Sequence, residues 1–422
     1  MKGRKKIILL LGCMFIFTVS GFSIAGAQLP KIRVIMMSGS ECDGMQKVAE
    51  AYIKETGNPV VVEGLGRGEY HAILPVHLFS ASPGFDIAWI QNTWLAEYAE
   101  AGVLEPLDEF VQASEGYNIE DIFGVGRYKG KTYAIPTDVS TFFLFYRKDL
   151  IKEPPQTWKE LLEVAKKFSK SQNPQSPTKY GITGDYITGE VLPQTWWNIM
   201  WSMRGEVIDK SGEVVVNKNG ALEAGRYFEK LARMELVPPN LTQVGWDDHI
   251  NHFVNGDAAM IVPGWNAAYT ALPVAGGFGK YMKATLIPGV KQEDGSIFRT
   301  PYAHSWNFVI PAASRHKKAA WEFFKFATSK QGMIIYAKTG LGNPPRESVL
   351  MSPEMAEMRP DFLLMGRTLR DAGWFPPVTY FGKIFDALDV ALAEIVNLMK
   401  SPKDALDRAA RLILEAKKAA EY

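Results

Sequence analysis

Ile32-Arg33-Val34-Ile35-Met36-Met37 is a short apolar run read as a strand, and it is followed by a polar turn. Helical spacing then predicts a helix from about Met45 to Glu55, and Pro59–Glu63 reads as a second strand. The rhythm repeats with a helical segment near Tyr70–Ser80, a strand at Asp86–Ile90 and a helix Thr93–Ala101 closed by Gly102. Strands alternating with helices in this way imply a parallel sheet covered on both faces, the start of a doubly wound α/β domain.

Upstream, Lys2, Arg4, Lys5 and Lys6 precede an almost purely apolar run, Ile7–Ile24, that ends in Ala25-Gly26-Ala27. This is the pattern of a secretory signal cut after Ala27, leaving Gln28 as the first mature residue. The same run retained as a membrane helix would need about 20 apolar residues. Leu10-Leu11-Gly12-Cys13 resembles the box at which bacterial lipoproteins are acylated, yet the apolar run continues past Cys13 to Val19. A cut there would fall in mid-run, so a cleaved leader and a periplasmic destination are the expectation.

Removing the leader leaves 43 basic against 46 acidic residues, a net charge of −3. Nothing in that balance draws the chain toward nucleic acid or anionic lipid. Only Cys42 remains in the mature chain, so no internal disulfide can form. With 47% apolar residues the core can hold the fold alone, and a chain of this length divides into two domains.

Past Asp108 the pattern changes. Tyr128–Pro136 reads as a hairpin leading into Phe142–Tyr146, with Pro136 suited to an edge or a crossing. Thr157 and Glu160 have the spacing of a capping box for a helix Trp158–Ser169. Helical spacing recurs at Thr195–Met203, Ala221–Met234, His249–Asn255, His316–Thr328 and Ala387–Lys400, and Pro402–Ala420 makes an alanine-rich final helix.

Motifs for catalysis or metal binding are weak. Gly64-Leu65-Gly66-Arg67-Gly68 follows a strand and precedes a helix, but it misses the dinucleotide spacing by one residue and lacks the Lys-Ser/Thr of an ATP loop. His249 and His252, beside Asp247 and Asp248, have no further His or Cys cluster to complete a metal site. Glu41 and Asp43 are close in sequence, as surface acids commonly are. No Gly-x-Ser-x-Gly elbow or Cys/His arrangement occurs, so no catalytic residue, metal or cofactor is assigned. Aromatic content is the prominent feature: 11 Trp, 16 Tyr and 23 Phe, many beside turn residues. A sugar ring presents flat C–H patches and a fringe of hydroxyls, which aromatic platforms and planar amide or carboxylate groups match.

Six motifs in order resemble the extracellular solute-binding proteins of bacterial ATP-driven importers, the family that includes the maltose-binding protein. They are Phe85-Asp86-Ile87-Ala88-Trp89 with Trp94–Leu107, Tyr133-Ala134-Ile135-Pro136 with Phe145–Leu150, and Pro155–Leu161. The others are Phe253–Met260 with Gly264-Trp265, Ala319–Phe326, and Gly342-Asn343-Pro344-Pro345-Arg346. The resemblance implies the type II periplasmic-binding-protein fold: two doubly wound α/β lobes joined by crossing hinge segments, closing around a ligand. The expected division is 1–27 leader, 28–138 and 298–346 lobe 1, 139–297 and 347–422 lobe 2. Crossings are expected at Pro136–Thr141, near Gly295–Tyr302 and near Arg346–Met351.

Transferred position by position, the resemblance nominates Glu41, in a cleft-facing loop Ser38–Glu41, as a hydroxyl acceptor. Gln91 and Asn92 stand where relatives often carry an Asp, and Asp138 lies near a ligand-binding carboxylate of maltose-type relatives. Trp265 is the first candidate for stacking, followed by Trp197 and Trp306, with Tyr380 at another cleft aromatic position. Trp158 and Trp321 read as core, and Trp94, Trp196, Trp201 and Trp246 stay undecided because helical spacing does not say which face they occupy. The implied function is a non-enzymatic, monomeric receptor that hands a sugar or polyol to an ABC permease and its ATPase. Other solutes on the same fold, such as glycerol phosphate, an oligopeptide or a metal, and a secreted carbohydrate-active enzyme are the competing readings.

Overall fold

The computed structural model describes residues 30–421, so the leader and its cleavage site lie outside the described residues. Eleven strands are present: β1 Ile32–Met37, β2 Val60–Leu65, β3 Ile87–Gln91, β4 Gly126–Tyr128, β5 Lys131–Arg147, β6 Tyr180–Thr183, β7 Ala258–Trp265, β8 Met282–Leu286, β9 Val290–Lys291, β10 Ile297–Phe298 and β11 Ala303–Val309. The main sheet runs in the order β2-β1-β3-β11-β5-β7-β6, with β4 and β8 also paired to β5. Strands β1, β2 and β3 are parallel, as the alternating pattern requires. Strand β11 is antiparallel to both of its neighbours, β3 and β5.

Strand β5 is the unit on which both halves are built. A two-residue turn at Lys129-Gly130, both at positive φ, joins it to β4. Its first part, Ile135–Thr141, pairs with β11, and its continuation, Phe142–Arg147, pairs with β7 and β8. Pro136 sits within the strand. Having no N–H, it is accommodated where the β5–β11 register shifts between Trp306 and Asn307.

Period-two alternation along β5 then separates the cores. Phe143 and Phe145 enter a first cluster with Ile32–Ile135 side chains and with Val349–Leu369. Phe142, Leu144 and Tyr146 enter a second, with Trp158, Trp196, Trp197, Phe375 and the final helices Phe381–Val396 and Pro402–Glu421.

Three segments meet where the chain changes halves. Thr141 donates its N–H to Asn266 Oδ1 (3.1 Å) and its hydroxyl to the Tyr302 carbonyl (3.0 Å). The Tyr302 N–H reaches Asn198 Oδ1 at 2.9 Å. Gly373 exchanges backbone hydrogen bonds with Pro301 and Ala303. Past the last crossing expected near Arg346–Met351, the helix Asp361–Arg370 packs against β5 and β8, and Met365 Sδ accepts from Asn266 Nδ2 at 3.8 Å. Phe362 and Met365 share the first cluster with Phe253, Ile261 and Leu272 of the second half, whereas Arg346 itself is bound to the first half. Arg346 is an internal tie of that half, donating to the Thr328 and Asn118 carbonyls and pairing with Asp121 at 3.1 Å.

Asp138 lies in this hinge, on β5 opposite Trp306. It is 2% exposed, and its Oδ2 accepts from Tyr336 Oη (3.0 Å) and the Asn343 N–H (2.7 Å). Burial first, then the nearby Glu41 charge, pushes its pKa up to about 8. Both donors that face its Oδ2 come from the protein, and little solvent reaches it.

Two outcomes follow. Asn266→Ala strands the buried Thr141 N–H, so urea denaturation should show a loss of about 1–3 kcal/mol; an unchanged midpoint and slope would mean that Thr141 finds another acceptor. For Asp138 the native carboxyl holds a proton that an unfolded Asp, with pKa about 3.9, releases. Its contribution is fully present below that value and is lost as pH rises toward about 8. Asp138→Asn keeps the acceptor oxygen and removes the titration. Its melting temperature should therefore gain on the parent's steadily from about pH 5 to about pH 8, whereas parallel curves would contradict a protonated native Asp138.

Candidate functional site

Strand direction defines where the two halves face one another. Strand β5 leaves the first half running the same way as β1, β2 and β3, because β11 is antiparallel to both β3 and β5. It enters the second half against β7, to which β6 is parallel. The C-terminal ends of both parallel sets thus point into one interlobe cleft, the place where open α/β sheets bind ligands.

The floor of that cleft is β11. Tyr302, His304 and Trp306, two apart, form a row of rings at the hinge. Trp306 stacks on buried Trp89 with centroids 4.3 Å apart at 18°, and meets Trp94 edge-on at 5.7 Å. His304 is edge-on to Trp306 at 5.9 Å and to Trp265 at 6.5 Å. Trp265, at the end of β7, lies on fully buried Phe142 at 3.9 Å. Two partly exposed indoles, one from each half, are therefore each backed by a buried ring and joined through one imidazole. Burial pushes the His304 pKa down to about 4, so the ring between them is neutral at neutral pH.

Polar groups border the row. Asn92 is partly exposed and its Oδ1 accepts from the Ser305 N–H at 3.2 Å, which fixes the amide beside Trp306. The Gln91 side chain accepts from Thr93 at 3.4 Å and is also partly open. Glu41 lies in the first turn of the helix Ser40–Thr56, which starts earlier than the sequence suggests because Glu41 and Asp43 favour a helix N-terminus. It is half-buried and accepts from Ser40 at 3.0 Å.

Two of the expected stacking residues are placed elsewhere. Trp197 is 0% exposed, packed among Trp201, Tyr302, Phe375 and Phe381, so it has no free face to offer a ligand. Its helix, Leu192–Ser202, is wedged into the second core, which absorbs both Trp196 and Trp197. Tyr380 precedes the helix Phe381–Val396, packs against the second core and lies near Glu421 at the end of the last helix. Of the undecided tryptophans, Trp94 joins the site, Trp201 is partly exposed, and Trp246 sits edge-on to buried His249.

Three further residues emerge, of which the sequence singled out neither His304 nor Asp185. His304 could have been found by counting two back from Trp306 along a strand. Trp374 stands between two cavities of about 390 Å³ each, one lined by Asn92, Ile122 and Arg127, the other by Trp201, Arg204 and Phe298. The outer edge of its indole is set against Gly124, where any Cβ would overlap it. Asp185, just past the C-terminal end of β6, is 6% exposed, and its Oδ1 has no hydrogen-bond partner. Burial, then Glu190, pushes its pKa up to about 7.

His249 is a core residue, hydrogen-bonded through Nδ1 to the Gly245 carbonyl and pushed down to about pKa 4 by burial. Among the described residues no group of three or more His, Cys, Asp or Glu is placed to hold a metal ion. Likewise no helix among them is long and apolar enough to cross a membrane.

Comparison with known proteins agrees with this geometry. The chain is 23% identical over 329 residues to a maltotriose-binding protein of Pyrococcus abyssi, covering 77% of this chain and 68% of the relative. A putative binding protein of Brucella abortus is 27% identical over 257 residues, 60% of each chain. Among solved structures, the sugar-binding protein MalE of Xanthomonas citri superposes with a TM-score of 0.79 at 21% identity, covering 92% of this chain and 97% of that one. A maltose-bound MalE3 of T. maritima gives 0.76 at 22%, covering 92% and 99%. Residues 38–334 match the family described as bacterial extracellular solute-binding protein, and the chain belongs to that family.

Proposed function

We propose that this chain is the substrate-binding receptor of an ATP-driven importer and that its solute is a neutral sugar or polyol held between Trp265 and Trp306. The observation that carries the reading is the pair of ring-backed, partly exposed indoles, one on each lobe, with the Asn92 amide beside one of them. Aromatic faces bind the C–H faces of a sugar ring, and planar amides and carboxylates bind its hydroxyls. The relatives support the same class: maltotriose- and maltodextrin-binding proteins by sequence, and a maltose-bound and a ribitol-bound protein by fold.

The charges near the cleft argue against a phosphorylated solute. Phosphate recognition wants converging arginines. Arg67 is already paired with Glu190, and the carboxyls of Glu41 and Asp185 stand at the ends of strands or in the helices that follow them. Export to the periplasm, handover to a permease with its ATPase, and action as a monomer complete the proposal. Hinge closure about β5, β11 and Gly373 would turn solute binding into a shape that a permease can read.

A thermal-shift screen of residues 28–422 against maltose, maltotriose, longer maltodextrins, ribitol and glycerol phosphate tests the class. Neutral saccharides or polyols should raise the melting temperature, and a response confined to glycerol phosphate would overturn the reading. By titration calorimetry, Trp265→Ala and Trp306→Ala should each weaken saccharide binding about tenfold or more. Trp197→Phe should lower stability while leaving affinity close to the parent's. The reverse ranking would place the solute elsewhere.

A further inference from the structure

The strand order places β2 and β6 at opposite ends of the main sheet, each the strand farthest from the crossing strand β5 on its own side. Yet the segments that follow these two edge strands meet. Arg67, two residues past the end of β2 and first in the helix Arg67–Leu78, lies 3.8 Å from Glu190, which closes the loop between β6 and the helix Leu192–Ser202. The sheet is thus folded back at β5 until its outermost loops touch. Among the ion pairs of the described residues, this is the one that joins a residue ahead of the first crossing to one between the first and second.

The pair sits where a small free energy has a large geometric effect. All the crossing segments are gathered at Thr141, Tyr302 and Gly373, so a contact between the edge-strand loops acts at the far side of the cleft with the longest lever arm. Both side chains are more exposed than buried, at 69% and 53%, so closing the lobes costs them little desolvation. Gly66 and Gly68 flank Arg67, and a Cβ at either would meet nothing, which leaves room for the loop to move as the lobes part. Glu190 has a further reason to seek a cation, because it lies close enough to Asp185 and its unpartnered oxygen to be repelled by that carboxyl once it ionises.

We infer that Arg67 and Glu190 form an electrostatic latch across the mouth of the interlobe cleft, biasing the two lobes toward the closed arrangement and slowing solute release. The latch rests on the two-lobed fold and not on the identity of the solute. It adds to whatever energy the solute supplies, and because it is exposed it weakens as salt screens it.

The test is a charge-swap cycle read without ligand. Spin labels placed by Lys54→Cys and Lys230→Cys report the distance between lobes, while buried Cys42 stays unlabelled. At about 20 mM salt, where screening acts only beyond about 20 Å, Arg67→Glu and Glu190→Arg should each shift the distance distribution toward more open lobes. The double variant Arg67→Glu/Glu190→Arg should return it to the parent's, and about 0.5 M salt should make the parent resemble the single variants. For a solute found by the thermal-shift screen, each single variant should bind about two- to five-fold more weakly, the range that an exposed pair supplies, and the double variant should recover. Unchanged distributions in the single variants, or a double variant as open as either of them, would overturn the latch. Failure of every saccharide to bind would instead count against the proposed solute and leave the ligand-free result standing.

Discussion

The structure depends on Thr141 and on the strand that contains it. Strand β5 is shared by both lobes, and Thr141 is the residue at which its partners change from β11 to β7. Its N–H, carbonyl and hydroxyl are all satisfied by groups from other crossing or flanking segments, namely Asn266 and the Tyr302 carbonyl. A buried backbone group left without a partner costs a sizeable fraction of a domain's net stability, so this junction tolerates few arrangements. Fixing it fixes the directions of β7 and β6 relative to β1, β2 and β3, and those directions bring the two sets of strand ends face to face. The cleft is thus a consequence of one strand serving two lobes.

The same junction shapes the chemistry of the site. The strand that returns beside Thr141 carries Tyr302, His304 and Trp306 at alternate positions, so the hinge is itself the aromatic floor. Backing each open indole with a buried ring holds it in one orientation, which limits the entropy lost when a flat ligand face settles on it. The neutral His304 between them avoids placing a charge at the hinge, where burial would penalise it. The polar partners stand at strand ends, where they can reach hydroxyls without disturbing the sheet.

Much of this was legible in the sequence, and the reasons are local. The parallel strands Ile32–Met37 and Val60–Leu65 announce themselves by apolar runs between helical spacings, and Thr157 with Glu160 forms the reciprocal cap that its spacing predicts. Trp265 and Trp306 sit beside turn or strand-end residues, and both stay partly exposed. What was not legible is whatever depends on the far side of a side chain. Trp197 and Trp265 look alike in sequence, but a helix wedged into the second core buries one and a strand end leaves the other open. Asp138 reads as a cleft carboxylate, and only the fold shows that Tyr336 and Asn343, about 200 residues away, donate to it.

Hydrogen–deuterium exchange with and without a saturating saccharide tests the central claim most directly, because it reports on both walls of the cleft at once. Added protection should concentrate in segments 89–94, 184–190, 264–267 and 303–307, in both lobes and at the hinge between them. Protection confined to one lobe, or centred on the outer helices Asn219–Arg233 and Pro402–Glu421, would contradict a solute held between Trp265 and Trp306.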